Sequence, residues 1–105
     1  MTEQEWLAQS DYEKNLWIRS IFHKAATSWK DLEHKDYLNW QGFGMVVEKF
    51  EEYRLDKDKV RYRLKVLETD IKGFYVIKNT LVNVVAPTPW EAVALAYGKL
   101  KGLIK

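Results

Sequence analysis

The spacing of the apolar residues changes near residue 58, and this change narrows the folds open to the chain more than any other feature. Before residue 58 they recur at helical spacing, which predicts an amphipathic helix over residues 40–54. After it they alternate with basic residues, which predicts a strand over residues 60–66. The helical set is Phe43, Val46, Val47, Phe50 and Tyr53, and the strand set is Val60, Tyr62, Leu64 and Val66.

Two further strands complete the predicted sheet. Residues 74–77 and 81–85 are rich in aromatic and β-branched side chains, which favour strands. Turn-forming residues at 68–70 and 79–80 separate the three strands. Because connections this short join antiparallel neighbours, the sequence predicts a three-stranded antiparallel meander.

Two capping boxes mark where the long helices begin. Ser10 with Glu13 predicts a helix that starts there and continues to residue 25. Thr88 with Glu91, together with a proline at the first helical position, predicts a final helix that runs to the C-terminus.

The N-terminal third holds weaker signals. A capping box at residues 2–5 predicts a short helix over residues 3–9. Trp6 lies there, outside the clear helical pattern, and we interpret it as an anchor for a partner or a second subunit. Residues 27–39 lack periodicity, which predicts a connecting loop with Trp29 as its anchor and as a further candidate contact.

Together these elements predict one α+β domain over residues 1–105, in the order α-α-β-β-β-α. It divides into an N-terminal helical part with its loop, residues 1–39, and an αβββα unit, residues 40–105. Helices on both faces of the meander would give an α/β/α sandwich. We expect the helix over residues 40–54 and the last helix on the apolar side of the first strand. We expect the helix that begins at Ser10 to cross the basic side of that strand.

Composition excludes several classes of protein. A chain of 105 residues has room for one core, and the absence of cysteine excludes disulfides, thiolate zinc sites and a cysteine nucleophile. No apolar window reaches the length of about 18 residues that a membrane span needs. The N-terminus is acidic, unlike a signal peptide. The cytoplasm is therefore the expected location, with no membrane partner.

The polar residues show no arrangement typical of catalysis or metal binding. Ser10, Ser20 and Ser28 lack the glycines of a nucleophile elbow, and His23 and His34 lack the spacing of a metal-binding pair. The acidic residues around His34 lack the glycine that a calcium loop needs, so we interpret them as a solvated loop. We expect neither an enzyme nor a cofactor or metal site.

Opposite charges divide the chain. Residues 1–58 hold 8 basic and 12 acidic side chains, a net charge of −4, whereas residues 59–105 hold 9 basic and 3 acidic ones, a net charge of +6. A basic surface can recruit a polyanion, or the two parts can pack on each other. We favour the second interpretation because the acidic partner is already present in the chain.

A row of basic residues is the best candidate for a binding site. Alternation along a strand puts Arg61, Arg63 and Lys65 on one face, and Tyr75 is expected beside them. Basic residues on a strand also prevent its edge from pairing with another chain. We take this role as the first interpretation of the basic row and phosphate binding as the alternative.

The chain from residue 40 onward resembles the phage ABA sandwich proteins, small α/β proteins of bacteriophages and prophages. The matching segments are Gly-Met-Val-Val-Glu-Lys-Phe at residues 44–50 and Ala-Pro-Thr-Pro-Trp-Glu-Ala-Val at residues 86–93, on either side of a strand meander. The resemblance covers about two thirds of the chain, and residues 1–39 depart from the family's usual opening. It implies a phage or prophage origin and an α/β/α sandwich, and it brings no catalytic residues.

The αβββα order also looks like a double-stranded RNA-binding domain, which carries a lysine cluster at the start of its last helix. Residues 88–91 are Thr-Pro-Trp-Glu, which argues against that function. We therefore expect a non-catalytic protein that binds a protein partner, a host factor or defence system among the candidates, or forms a homo-oligomer. The alternative is a nucleic-acid-associated protein that uses the basic row.

Overall fold

The computed structural model describes residues 1–22 and 36–105. In these residues the helices are α1 Glu3–Leu7, α2 Asp11–Phe22, α3 Trp40–Val47 and α4 Pro89–Leu100, and the strands are β1 Glu52–Asp58, β2 Arg61–Lys72 and β3 Tyr75–Ala86. The strands form one antiparallel sheet in the order β1-β2-β3, with helices before and after it. The α+β class and the three-stranded meander are confirmed.

The helix starts follow the capping residues. The Ser10 hydroxyl accepts a hydrogen bond from the Glu13 amide at 3.2 Å, and the Thr88 hydroxyl accepts one from the Glu91 amide at 3.3 Å. These bonds satisfy amides that a helix leaves unpaired in its first turn. Thr2 caps α1 in the same way. The predicted end of α2, at residue 25, lies outside the described residues.

The limits of the strands differ from the prediction. The helix expected over residues 40–54 ends at Val47, and β1 occupies Glu52–Asp58. Tyr53 fits the helical spacing of Phe43 and Phe50, but Tyr53 and Leu55 also fit a period of two. The strand prevails because pairing with β2 satisfies its backbone and places Leu55 opposite the buried Leu64.

The predicted turns at residues 68–70 and 79–80 are also wrong, since both lie within paired strands. The chain reverses instead at Gly73-Phe74, where Gly73 has a φ of 62°, a backbone conformation that glycine adopts without strain. Val66 pairs with Val82 and Leu67 with Thr80, so Leu81 is an extra residue in β3. The polar residues that suggested a turn thus flank a β-bulge.

Helix α4 lies at the centre of the molecule. Its residues 92–96 are buried in succession, so the helix is covered on every side. The sheet covers one side through Leu64 and Val84, and α3 covers another. Small side chains allow this close approach, and a Cβ atom at Gly98 would lie 2.5 Å from Ile104 Cδ1 and 3.0 Å from Trp17 of α2.

The first long helix does not cross the basic side of the sheet. Helix α2 packs on α4 instead, through Trp17 and through an ion pair of 3.1 Å between Lys14 Nζ and Glu91 Oε2. Its apolar residue Ile18 is buried there, which explains the difference from the expected placement. Arg61 and Arg63, on the opposite face of the sheet, remain exposed.

Candidate functional site

A two-stranded ribbon extends from one end of the sheet. Strand β1 pairs with β2 only up to the pair of Glu52 with Leu67. Beyond this point β2 pairs with β3 alone, and we call this ribbon, residues 68–79, the β2–β3 arm. At about 3.3 Å a residue the arm adds about 20 Å to the length of the molecule. The longest principal axis is accordingly 52 Å, against 33 and 24 Å for the others.

The arm exposes apolar side chains around its tip. Phe74, in the turn, is fully exposed, and Tyr75 is 75% exposed. Ile71 and Val76 face each other across the strands and are 70% and 63% exposed. Ile71 and Val76 lie on one face of the arm and Tyr75 on the other. A ribbon of two strands is marginally stable in water, and clustered exposed apolar side chains are typical of an interaction site. The tip is thus the most apolar exposed projection among the described elements.

A polar clip ties the base of the arm to the rest of the sheet. The Lys78 ammonium of β3 donates to Glu52 of β1 at 2.7 and 2.8 Å and to the Thr69 hydroxyl of β2 at 3.0 Å. Thr69 in turn donates to Glu52 at 3.2 Å. The hydrogen bond from Lys78 holds the pKa of Glu52 below its ordinary value, although desolvation acts in the opposite direction. The clip joins all three strands where the arm begins.

A groove of about 220 Å³ lies beside the bulge at the base of the arm. We call it the base groove. Apolar side chains from the α3–β1 turn, both long strands and the end of α4 line it, with charged residues at its rim. The apolar lining is Phe50, Val66, Leu67, Leu81 and Leu100, and the rim is Lys49, Glu51 and Glu68. The volume is below the range of about 300–1,000 Å³ typical of small-molecule sites, and it suits a single side chain.

The basic row lies on the face of the sheet opposite α4, where Arg61 and Arg63 are exposed and Lys65 is half-buried, and acidic residues flank it. Strand β1 places Asp56 opposite Arg63 and Asp58 opposite Arg61. On the other side, Arg63 donates to the Asn83 side chain at 3.4 Å. Sequence reasoning missed these acidic neighbours because it predicted a helix up to residue 54 and no strand before residue 60. The acidic part of the chain, residues 1–58, thus contacts the basic part where β1 pairs with β2. This is the kind of contact that the favoured interpretation of the charge division expects.

The structure does not bring Tyr75 to the basic row. Tyr75 pairs with Lys72, seven positions along β2 from Lys65, which corresponds to about 23 Å. Side chains along a strand alternate between the two faces, so Lys65 and Lys72, an odd number of positions apart, lie on opposite faces. Tyr75 shares the face of Lys72, with which it pairs, and therefore lies on the face opposite the basic row. The prediction that Tyr75 lies beside the row was wrong, since the hairpin turns at residue 73 rather than at 68–70.

Trp6 is fully buried, so its prediction as a surface anchor was wrong. Its ring packs edge to face with Trp17 at 5.7 Å between centroids, and the Lys14 ammonium lies 5.6 Å from it. The short helix α1 directs the ring inward, and a large apolar ring gains most from burial. Trp29, the other predicted anchor, lies outside the described residues, as do His23 and His34.

Sequence reasoning also missed an aromatic cluster at the start of α3. Trp40 is 57% exposed and packs edge to face with Phe43 at 5.4 Å and with Trp90 at 5.9 Å. Phe43 continues the series to Tyr53 of β1 at 6.0 Å. Trp40, Phe43 and Trp90 all lie in predicted helices, but sequence spacing does not show that the two helices meet. The contact with Tyr53 forms only because this residue lies in β1.

Other kinds of site are absent from the described parts of the chain. Over residues 1–22 and 36–105, no group of three or more histidine, aspartate or glutamate side chains is placed to hold a metal ion. None of the helices described is both long enough and apolar enough to pass through a membrane. No protein-family model, curated protein or solved structure matches this chain.

Proposed function

We propose that this chain is a small non-catalytic protein that works by binding another protein, with the tip of the β2–β3 arm as the principal contact. The observation that supports this most is the fully exposed Phe74 together with the exposed Ile71, Tyr75 and Val76 on a projecting ribbon. Exposing these side chains to water is unfavourable, and a protein partner would remove that cost. Aromatic side chains at the centre of an interface commonly contribute most of its binding energy.

The proposal includes a phage or prophage origin and action inside a bacterial host cell. Its support is the resemblance of residues 44–50 and 86–93 to the phage ABA sandwich proteins. Residues 44–47 end α3 and residues 89–93 begin α4, and these two helices pack together. A host factor or a component of a bacterial defence system is then the candidate target.

Affinity capture from bacterial lysate tests the proposal. The tagged chain, treated with nuclease, is expected to retain a protein that Phe74→Ser no longer retains. Val60→Ser is the matched control, because Val60 is an 80% exposed apolar residue in the β1–β2 turn, away from the arm. Equal capture by all three proteins, or capture by none from a lysate that also contains the untagged chain, would contradict the arm as the contact.

Nucleic-acid binding through the basic row is the second candidate function. The exposure of Arg61 and Arg63 on one face favours it, whereas the neighbouring Asp56 and Asp58 oppose a polyanion. This function predicts salt-dependent binding whose slope falls by about one unit for each arginine replaced by glutamine. Absence of binding in about 50 mM salt would exclude it.

A further inference from the structure

We infer that the partner of the β2–β3 arm is a second copy of this chain. In the proposed dimer the two arms pair antiparallel along β3, and the Phe74 ring of each copy enters the base groove of the other. The inference rests on the proposed function, since it takes the arm to be a protein-binding surface.

The two edges of the sheet differ in their protection against pairing. Charged residues at the edge and short edge strands are the usual means of preventing strands of different chains from pairing. Strand β1 has seven residues, of which five are charged, whereas β3 has twelve residues and a single charge, Lys78. Among the described strands β3 is therefore the edge that lacks this protection, and along the arm both of its faces are exposed.

An antiparallel pair of arms brings each tip to the base of the other arm. With the twofold axis at Ile77, residue Phe74 of one copy lies opposite Thr80 of the second, next to the bulge at Leu81. Lys78 then lies opposite Val76, so the one charged residue of β3 does not face itself. This register thus places the tip of each copy beside the base groove of the other.

The base groove and the arm tip are complementary. A groove of about 220 Å³ with an apolar lining accommodates one phenyl ring, and Phe74 is a fully exposed phenylalanine at the extreme end of the arm. The charges match on balance, because two of the three rim residues, Glu51 and Glu68, are acidic against one lysine, Lys49, and Lys72 lies beside the tip.

The dimer gains both apolar burial and backbone hydrogen bonds. Entry of each Phe74 ring into the groove of the other copy removes about 150–250 Å² of apolar surface from water. Pairing along β3 also satisfies the amides and carbonyls that a free strand edge leaves to water. The dimer also turns two isolated ribbons into one four-stranded sheet, which is the more stable arrangement.

Disulfide trapping tests the geometry directly, because the chain has no cysteine of its own. The variant Ile77→Cys is expected to form a covalent dimer on mild oxidation, because residue 77 of one copy lies opposite residue 77 of the other at the twofold axis. It leaves Phe74 and the base groove unchanged. Val60→Cys, at an exposed position outside the inferred interface, is the matched control and is expected to remain monomeric under the same conditions. An Ile77→Cys variant that cross-links no more than this control would overturn the inferred pairing.

Light scattering across a concentration series separates this inference from the proposed function. The unmodified chain is expected to be a dimer, and Phe74→Ser, an exposed turn position, is expected to weaken dimerisation about tenfold or more without changing the circular dichroism spectrum. A monomer that still captures a different protein through Phe74 would overturn the second copy as partner and retain the proposed function. A monomer with no capture that depends on Phe74 would overturn both.

Discussion

Gly42 and Gly44 lie two positions apart in α3, and only Gly42 has to be glycine. A Cβ atom at Gly42 would overlap the carbonyl oxygen of Tyr37, whereas nothing lies within 4 Å of one at Gly44. Gly42→Ala should therefore lower the free energy of unfolding by about 1–3 kcal/mol, and Gly44→Ala should raise it by about 0.5–1 kcal/mol. Urea denaturation of both variants measures this, and changes of the same sign would contradict it.

Glu52 makes the stability of the sheet depend on pH. Because its pKa is lowered from the ordinary value of 4.5, chiefly by the hydrogen bond from Lys78, the clip stabilises the fold above that pH. This stabilisation should disappear as the pH falls through the lowered pKa. Glu52→Gln should therefore lose less in melting temperature than the unmodified chain between about pH 7 and about pH 3. An equal loss in both proteins would contradict the role of the clip.

At the scale of elements, one buried ion pair fixes α2 to the start of α4. The side chains of Lys14 and Glu91 are 8% and 13% exposed, and the Thr88 hydroxyl also donates to Glu91, at 2.7 Å. Lys14→Met should lower the free energy of unfolding by about 3 kcal/mol, because it leaves a carboxylate without its cation. Adding Glu91→Gln should recover part of the loss.

Chemical denaturation of the single and double variants measures this coupling between α2 and α4. Lys101→Met is the control, since Lys101 is exposed. If Lys14→Met costs no more than Lys101→Met, the ion pair does not hold the two helices together.

The sequence allows prediction of those elements that have a local signal. Ser10 and Thr88 predict two helix starts because a cap involves only residues three positions apart. Strand β1 was missed because Tyr53 fits both helical and strand spacing, and only pairing with β2 decides between them. Trp6 was misplaced because its burial depends on α2, and the β2–β3 arm was missed because its polar residues resemble turns.

At the scale of the whole molecule, a helical layer on one side of the sheet forms the core, and the arm extends beyond it. The buried side chains of the sheet lie opposite α4, and they are Leu64, Val66, Val82, Val84 and Ala86. The arm contributes nothing to that core, yet it carries the largest exposed apolar side chains of β2 and β3. This division between a stable body and a projecting apolar ribbon is the basis of the proposed binding function.

Hydrogen–deuterium exchange at two protein concentrations tests the central claim most directly. If the arm is the surface that pairs with a second copy, the backbone amides of residues 75–79 should exchange more slowly in concentrated than in dilute protein. The amides of the charged edge strand β1 should exchange at the same rate in both. Unchanged exchange in the arm, with the protein at concentrations that span the expected dimerisation, would contradict the account.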